Sequence, residues 1–213
     1  MTTALVIGAS GGIGAALARR LERDHAVTAL SRARDGLDVT EGASVDTLLT
    51  GLGPFDRVWV AHGILAPEGG APEKALAQID GAAMARVFAV NAIGVANVLK
   101  HLPRLLARGG RAGVLTARVG SIGDNALGGW HSYRASKAAA NMLVRGAAIE
   151  IGRRDPDAVV AALHPGTVET PFTRGYRAEK LSPDAAADRL VGVLDGLGET
   201  GVFRDWKGEA VEW

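Results

Sequence analysis

A tyrosine and a lysine four residues apart are the side chains best equipped for chemistry in this chain: Tyr133 and Lys137, in Trp130-His131-Ser132-Tyr133-Arg134-Ala135-Ser136-Lys137-Ala138-Ala139-Ala140. The stretch is alanine-rich and free of proline, which predicts a helix, and on a helix positions four apart share a face. A phenol titrates near pH ~10 in water, too high for a useful base at neutrality. A cation beside it favours the phenolate, so Lys137 would let Tyr133 give and take protons near neutral pH. Alone, the pair reads equally as an ordinary helix-surface contact.

A second motif changes its weight. Gly8-Ala9-Ser10-Gly11-Gly12-Ile13-Gly14 follows the apolar run Thr3–Ile7, a buried strand by its pattern. It precedes Ala15–Arg23, where Ile13, Leu17 and Leu21 form a helical stripe. Glycines there permit a tight turn and a close approach of pyrophosphate to the backbone, while the helix N-terminus offers free N–H groups. The plainer alternative is a strand-to-helix loop in a chain with 29 glycines.

These groups must be positioned by a scaffold, and the pattern predicts one. Apolar runs at Ala26–Leu30, Arg57–Ala61, Ala112–Thr116, Ala158–Leu163 and Val202–Phe203 alternate with helical patterns at Ala43–Leu49, Asp80–Ala107 (broken near Asn91), His131–Arg153 and Pro183–Leu194, the last capped by Ser182. Fully apolar strands between amphipathic helices imply an α/β fold: a doubly wound parallel sheet of the Rossmann kind, in three α/β/α layers, as a single domain over residues 1–213. Ligands are expected at the carboxyl ends of the strands. The 47% hydrophobic content suits one full core. Lys+Arg 24 against Asp+Glu 23 leaves no electrostatic case for nucleic acid or an anionic membrane. The absence of cysteine excludes disulfides and thiolate metal sites, and no metal site is expected. An apolar N-terminus without a preceding basic region argues against a signal peptide, and Arg86 and Asn91 interrupt the longest apolar run, so a cytoplasmic location is expected.

Together, Gly8, Gly12 and Gly14 with Tyr133 and Lys137 resemble the short-chain dehydrogenase/reductase family over essentially the whole chain. Gly8, Gly11 and Gly14 also match the spacing of the longer, sugar-nucleotide-modifying branch, but 213 residues leave no room for that branch's substrate domain. Ser121-Ile122-Gly123-Asp124-Asn125 and Gly128-Gly129-Trp130 look most like the small C-factor (C-signal) group.

The resemblance implies a Tyr-Lys-Ser-Asn mechanism of hydride transfer between a nicotinamide and a carbonyl or alcohol carbon of a small molecule. Tyr133 would donate the proton, and Lys137 would lower its pKa and bond the nicotinamide ribose. Asn91 would distort its helix and hold a water that links Lys137 to solvent. Ser121, twelve residues before Tyr133, would polarise the carbonyl, with Thr116 in reserve. Ser10 and Ile13 belong to the glycine turn. Ser31 stands where NAD-preferring members carry a carboxylate, and Arg32 follows, which implies NADP; Arg32 and Arg34 also read as solvated loop charges. Asp38-Val39 resembles the adenine-contacting pair, though Asp38 equally suits a helix entry. Ala61-His62-Gly63 replaces the family's Asn-Asn-Ala-Gly, keeping the glycine and losing both amides. Pro165, Gly166, Val168 and Thr170 resemble the loop that closes on the cofactor, and Phe172–Leu181, with Arg174, Arg177, Glu179 and Lys180, would be a short substrate-facing segment that leaves the pocket open. A homodimer or homotetramer is expected through Asp80–Ala107 and His131–Arg153. The competing readings are an NADP(H)-binding signalling or sensor protein with vestigial catalysis, and a dehydratase or epimerase using the same Tyr–Lys pair.

Overall fold

The computed structural model describes residues 1–173 and 179–213. Strands β1 (Thr2–Ile7), β2 (His25–Leu30), β3 (Phe55–Val60), β4 (Leu106–Leu115), β5 (Val159–His164) and β6 (Val202–Asp205) form one sheet in the order β2-β1-β3-β4-β5-β6. Every neighbouring pair is parallel. Alternation along β1 explains why it reads as a continuous apolar run. Ala4 and Val6 face one core, shared with Leu17 and Leu21 of α1 (Gly12–Leu21). Leu5 and Ile7 face the other, shared with Val95, Val98, Val144 and Ile151. A strand covered on both sides has no polar face to show.

Helices α2 (Arg32–Asp35), α3 (Gly42–Leu49), α4 (Gly81–Phe88), α5 (Gly94–Leu99), α6 (Leu102–Leu105), α7 (His131–Arg154) and α8 (Pro183–Gly196) complete the layers. The helix starts at Asp80 and Ser182 follow the sequence reading: Asp80 accepts from the Ala83 N–H at 2.7 Å, and Ser182 from the Ala185 N–H at 3.1 Å. Between α4 and α5 the chain forms a π-turn, Ala89–Ile93, centred on Asn91. The predicted helix to Ala107 ends earlier, because Leu106 already enters β4 and pairs with Phe55. Ser31–Arg34, expected as a loop, instead winds into α2, with the Arg34 N–H donating to the Ser31 hydroxyl at 3.3 Å.

Gly81–Leu99 is long and apolar enough to cross a membrane by length and composition, contrary to the expectation that Arg86 and Asn91 interrupt it. Within the fold this stretch packs against α7 and is pinned there by the Asn91 amide. The chain leaves β1 toward β2 on one side and returns to β3 on the other, so β1 and β3 mark the switch point of the sheet.

Candidate active site

Gly8, at the end of β1, takes a left-handed φ of 90°, which glycine adopts without strain. A Cβ on Gly14 would lie 2.2 Å from the Gly8 carbonyl oxygen, so α1 rests directly on the turn. The same atom on Gly12 would meet only the Thr170 side chain, at 2.6 Å, and on Gly11 would stand 3.4 Å from the Gly8 oxygen. The structure thus uses Gly8 and Gly14 for backbone packing and Gly12 for closeness to the β5 loop. Gly11 caps α1 without a side-chain hydrogen bond, and its first turn carries no acid. That helix start is a ready anion site beside a cleft that Ser10, Gly11, Gly12 and Ile13 line.

The cleft, of about 670 Å³, lies across the carboxyl ends of β1, β3, β4 and β5. Ala61, His62 and Gly63 line it after β3, and Pro165, Gly166, Val168 and Thr170 after β5. Val168 is buried and forms an isolated bridge to Leu181, while Glu169 donates to Leu181 and Leu181 to Thr167, each at 2.8 Å. These contacts pin the two ends of the segment that follows; its Arg174 and Arg177 lie outside the described residues.

The opposite wall is the start of α7. Gly128, Gly129 and Trp130 all have positive φ, and Glu73 holds this corner by accepting from the Ser132 hydroxyl and N–H and, through its carbonyl, from the Trp130 N–H. Arg134 donates to the Gly128, Gly129 and Val119 carbonyls at 3.0–3.2 Å. So braced, α7 presents Tyr133 and Lys137 to the cleft, both buried. Lys137 Nζ is 6.0 Å from the Tyr133 ring centre and donates to the Leu115 carbonyl at 3.1 Å. Burial pulls its pKa from 10.5 down to about 8.

Asn91 lines the back of this group rather than the cleft. It is fully buried; its Oδ1 accepts from the Ile64 N–H at 2.8 Å, and its Nδ2 donates to the Ile64 carbonyl at 2.8 Å and to the Ser136 hydroxyl at 3.0 Å. A Cβ on Gly63 would stand 3.2 Å from both Asn91 Oδ1 and Lys137 Nζ. The glycine that survives from the altered β3 loop therefore keeps open the space between amide and ammonium. His62 is neutral: burial chiefly, and the Lys137 charge, lower its pKa to about 3.

The two candidate hydroxyls separate clearly. Thr116, at the end of β4, lines the cleft, and its buried Oγ1 has no hydrogen-bond partner among the described residues. The Ser121 hydroxyl, also buried, accepts from the Asp124 N–H at 3.0 Å and donates to the Trp213 carbonyl at 3.5 Å; Ser121 does not line the cleft. Next to Thr116, Arg118 reaches into the cleft and pairs with the buried Asp205 at 3.1 Å and with Asp124 at 3.5 Å. Burial, reinforced by Arg118, lowers the pKa of neighbouring His164 to about 4.

At the far end of the site, Ser31 is buried and its N–H and hydroxyl both engage Asp35. Arg32 and Arg34 are exposed, and the Arg32 charge acts on nearby Asp38. One oxygen of Asp38 accepts from the Thr40 N–H and hydroxyl, which lowers its pKa. The Val39 carbonyl accepts from Asn97 at 2.9 Å. Sequence reasoning missed Arg118, Glu73 and Arg134 as site residues, while Phe172, expected to face the substrate, lines the cleft. Glu73 lies 59 residues from its partner Ser132, and no local pattern announces such a contact.

A family model described as Enoyl-(Acyl carrier protein) reductase matches residues 36–194. The chain is 31% identical, over 100% of both chains, to a 1-hydroxy-2-glutathionyl-2-methyl-3-butene dehydrogenase from Rhodococcus sp. (strain AD45). It is 38% identical to C-signal of Myxococcus xanthus over 65% of this chain and 84% of that one. A solved structure described as a short-chain dehydrogenase/reductase from Burkholderia multivorans with bound NADP superposes with a TM-score of 0.82 at 25% identity, covering 100% of this chain and 99% of that one. Carbonyl reductase Sniffer of D. melanogaster has the same fold, with a TM-score of 0.83 at 20% identity over 100% of both chains.

Proposed function

The chain belongs to the short-chain dehydrogenase/reductase family, and from that membership we propose that it transfers a hydride between NADP(H) and a carbonyl or hydroxyl carbon of a small molecule. One observation carries the reading: Thr116, Tyr133 and Lys137 line the same cleft as the uncapped start of α1. The residues fit a dinucleotide. The acid-free first turn of α1 suits a pyrophosphate, Gly12 leaves room beside it, and the exposed Arg32 guanidinium suits a 2′-phosphate. The NADP bound to the Burkholderia structure supports the same choice. Asp38, with Val39 beside it, would bound the adenine side.

When bound, the nicotinamide supplies or accepts the hydride. The chain's own residues do the rest. Thr116 donates a hydrogen bond to the carbonyl oxygen and polarises it. Tyr133 delivers the proton to that oxygen, and the Lys137 cation stabilises the phenolate left behind. Lys137 then passes a proton to the phenolate, restoring Tyr133, and is itself reprotonated from solvent on the Asn91 side, where Gly63 leaves space between amide and ammonium. Ser121 takes no direct part in this scheme; its hydroxyl braces the turn before Asp124. Exposed Ile93, Met142 and Ile149 on the outer faces of the α4–α5 stretch and α7 support a homo-oligomer.

A second reading, an NADP(H)-binding signalling protein, draws on the 38% identity to C-signal. A glutathionyl-bearing alcohol, as in the name of the Rhodococcus relative, is one candidate substrate of the first. The deciding experiment follows NADPH and NADH oxidation with a panel of aldehydes, ketones and quinones, for the native chain, Tyr133→Phe and Arg32→Glu. The expected result is turnover with NADPH, reduced about a thousandfold in Tyr133→Phe. Arg32→Glu should raise the KM for NADPH roughly tenfold or more and leave that for NADH far less altered. NADPH binding with no turnover of any carbonyl would favour the signalling reading.

A further inference from the structure

The last strand of the sheet ends behind one edge of the cleft. β5 and β6 run parallel with His164 opposite Asp205, so Pro165-Gly166 and Trp206 leave the sheet side by side. Gly166 lines the cleft and has a left-handed φ of 80°. Among the described residues, neither Pro165 nor Gly166 has a hydrogen-bonded backbone partner, so packing sets where this turn lies. The Trp206 indole supplies that packing. A Cβ on Gly166 would stand 2.6 Å from its Cδ1, 2.7 Å from its Nε1 and 3.2 Å from its Cγ. An indole is rigid from Cγ outward, so making room for a side chain there means moving the whole ring.

The ring is itself held in place. The buried Asp205 accepts through Oδ1 from the Lys207 and Glu209 N–H groups, at 2.9 and 3.0 Å, and through Oδ2 from Arg118, at 3.1 Å. Its carbonyl accepts from the Gly208 N–H at 2.9 Å, which closes a β-turn with Trp206 and Lys207 at the centre. Over the indole lie the Arg189 guanidinium of α8, 4.4 Å from the ring centre, and the Lys207 ammonium, at 5.0 Å. A half-buried tryptophan anchored in this way fixes a cleft turn that no ladder fixes. A turn fixed in advance costs less to order when a ligand arrives.

We infer that Trp206 is a positioning residue for the dinucleotide: by backing Gly166 it holds the Pro165-Gly166 turn where the cofactor meets it. Position 166 is then a glycine for two reasons, its φ and the indole behind it. The inference rests on the NADP(H) reading above and extends it to a side chain that does not line the cleft.

The test is a double-mutant cycle on the full chain with Trp206→Ala, Gly166→Ala and the two combined, read as the NADPH dissociation constant and as the melting temperature without cofactor. Trp206→Ala should raise the NADPH dissociation constant about tenfold, while kcat at saturating NADPH, for whichever carbonyl of the panel is turned over, changes less than about threefold. Trp206→Phe keeps a ring behind the turn and should restore binding to within about threefold of the native chain. Gly166→Ala should weaken binding about a hundredfold in the native chain but only about tenfold beside Trp206→Ala, where the positive φ remains and the collision is gone. If melting shows that Trp206→Ala does not fold, Trp206→Leu, which fills the site without a ring, takes its place in the cycle. Folded Trp206 variants that bind NADPH as tightly as the native chain, or a Gly166→Ala penalty unchanged by loss of the indole, overturn the inference and leave the oxidoreductase reading intact. A native chain that binds no NADPH overturns both.

Discussion

Thr116 and Ser121 are five residues apart, both buried, and both hydroxyls, yet the fold gives them opposite circumstances. The Ser121 oxygen is already held by a backbone N–H and a backbone carbonyl, whereas the Thr116 oxygen has no partner among the described residues, in a site where an unmet hydroxyl is costly. In the mechanism proposed above, a substrate carbonyl would be that partner. Thr116→Val should therefore cut kcat/KM by about 10²-fold, as loss of an oxyanion donor does elsewhere, while Ser121→Ala should change it only about threefold. Steady-state kinetics on the two variants checks this, and the reverse order would return the role to Ser121. Spacing from Tyr133 had pointed to Ser121. Distance along the chain does not record which hydroxyl a turn captures first.

Elements set how strictly each glycine is needed. The glycine turn and the start of α7 were both legible, because glycine spacing and the Tyr–Lys interval are local signals. Which spacing of the glycines matters was not. Gly14 touches the Gly8 backbone, while Gly12 faces a side chain. Gly14→Ala should prevent NADPH binding or folding, whereas Gly12→Ala should fold and weaken NADPH binding only about tenfold, since the Thr170 methyl can turn away. Thermal melting and an NADPH titration separate the two; equal damage would show that the Thr170 loop is as rigid as the β1 turn. The π-turn at Ala89–Ile93 belongs to the same scale. An amide in an apolar helix signalled that something must satisfy it, but Ile64 and Ser136, its partners, come from two other segments.

At the scale of the molecule, two neutral imidazoles inside the cleft wall link folding to pH. His164 has a folded pKa of about 4 and His62 of about 3, against 6.5 for a free imidazole. Between those values the unfolded chain binds more protons than the folded one, so stability rises with pH across this window. It is complete above about pH 6.5 and falls as acid is added toward pH 4. His164→Gln, with Arg118 and Asp205 still facing the position, should flatten the fall between pH 7 and 5 by on the order of 1–2 kcal/mol, or a few degrees in Tm. Parallel melting curves for the variant and the native chain across that range would contradict this account.

The sequence by itself determined the layered α/β fold, nearly all of its strands and helices, and the two motifs that meet in the cleft, because hydrophobic periodicity and short-range spacing carry that information. Only the tertiary structure decided which hydroxyl lines the cleft, that Gly63 opens the space between Asn91 and Lys137, that Arg118 pairs with Asp205 from 87 residues away, and that Trp130 and Phe172 flank Tyr133. Each of those depends on segments far apart in the chain that meet when the strands align their carboxyl ends, and a pattern read along one segment holds no record of the other.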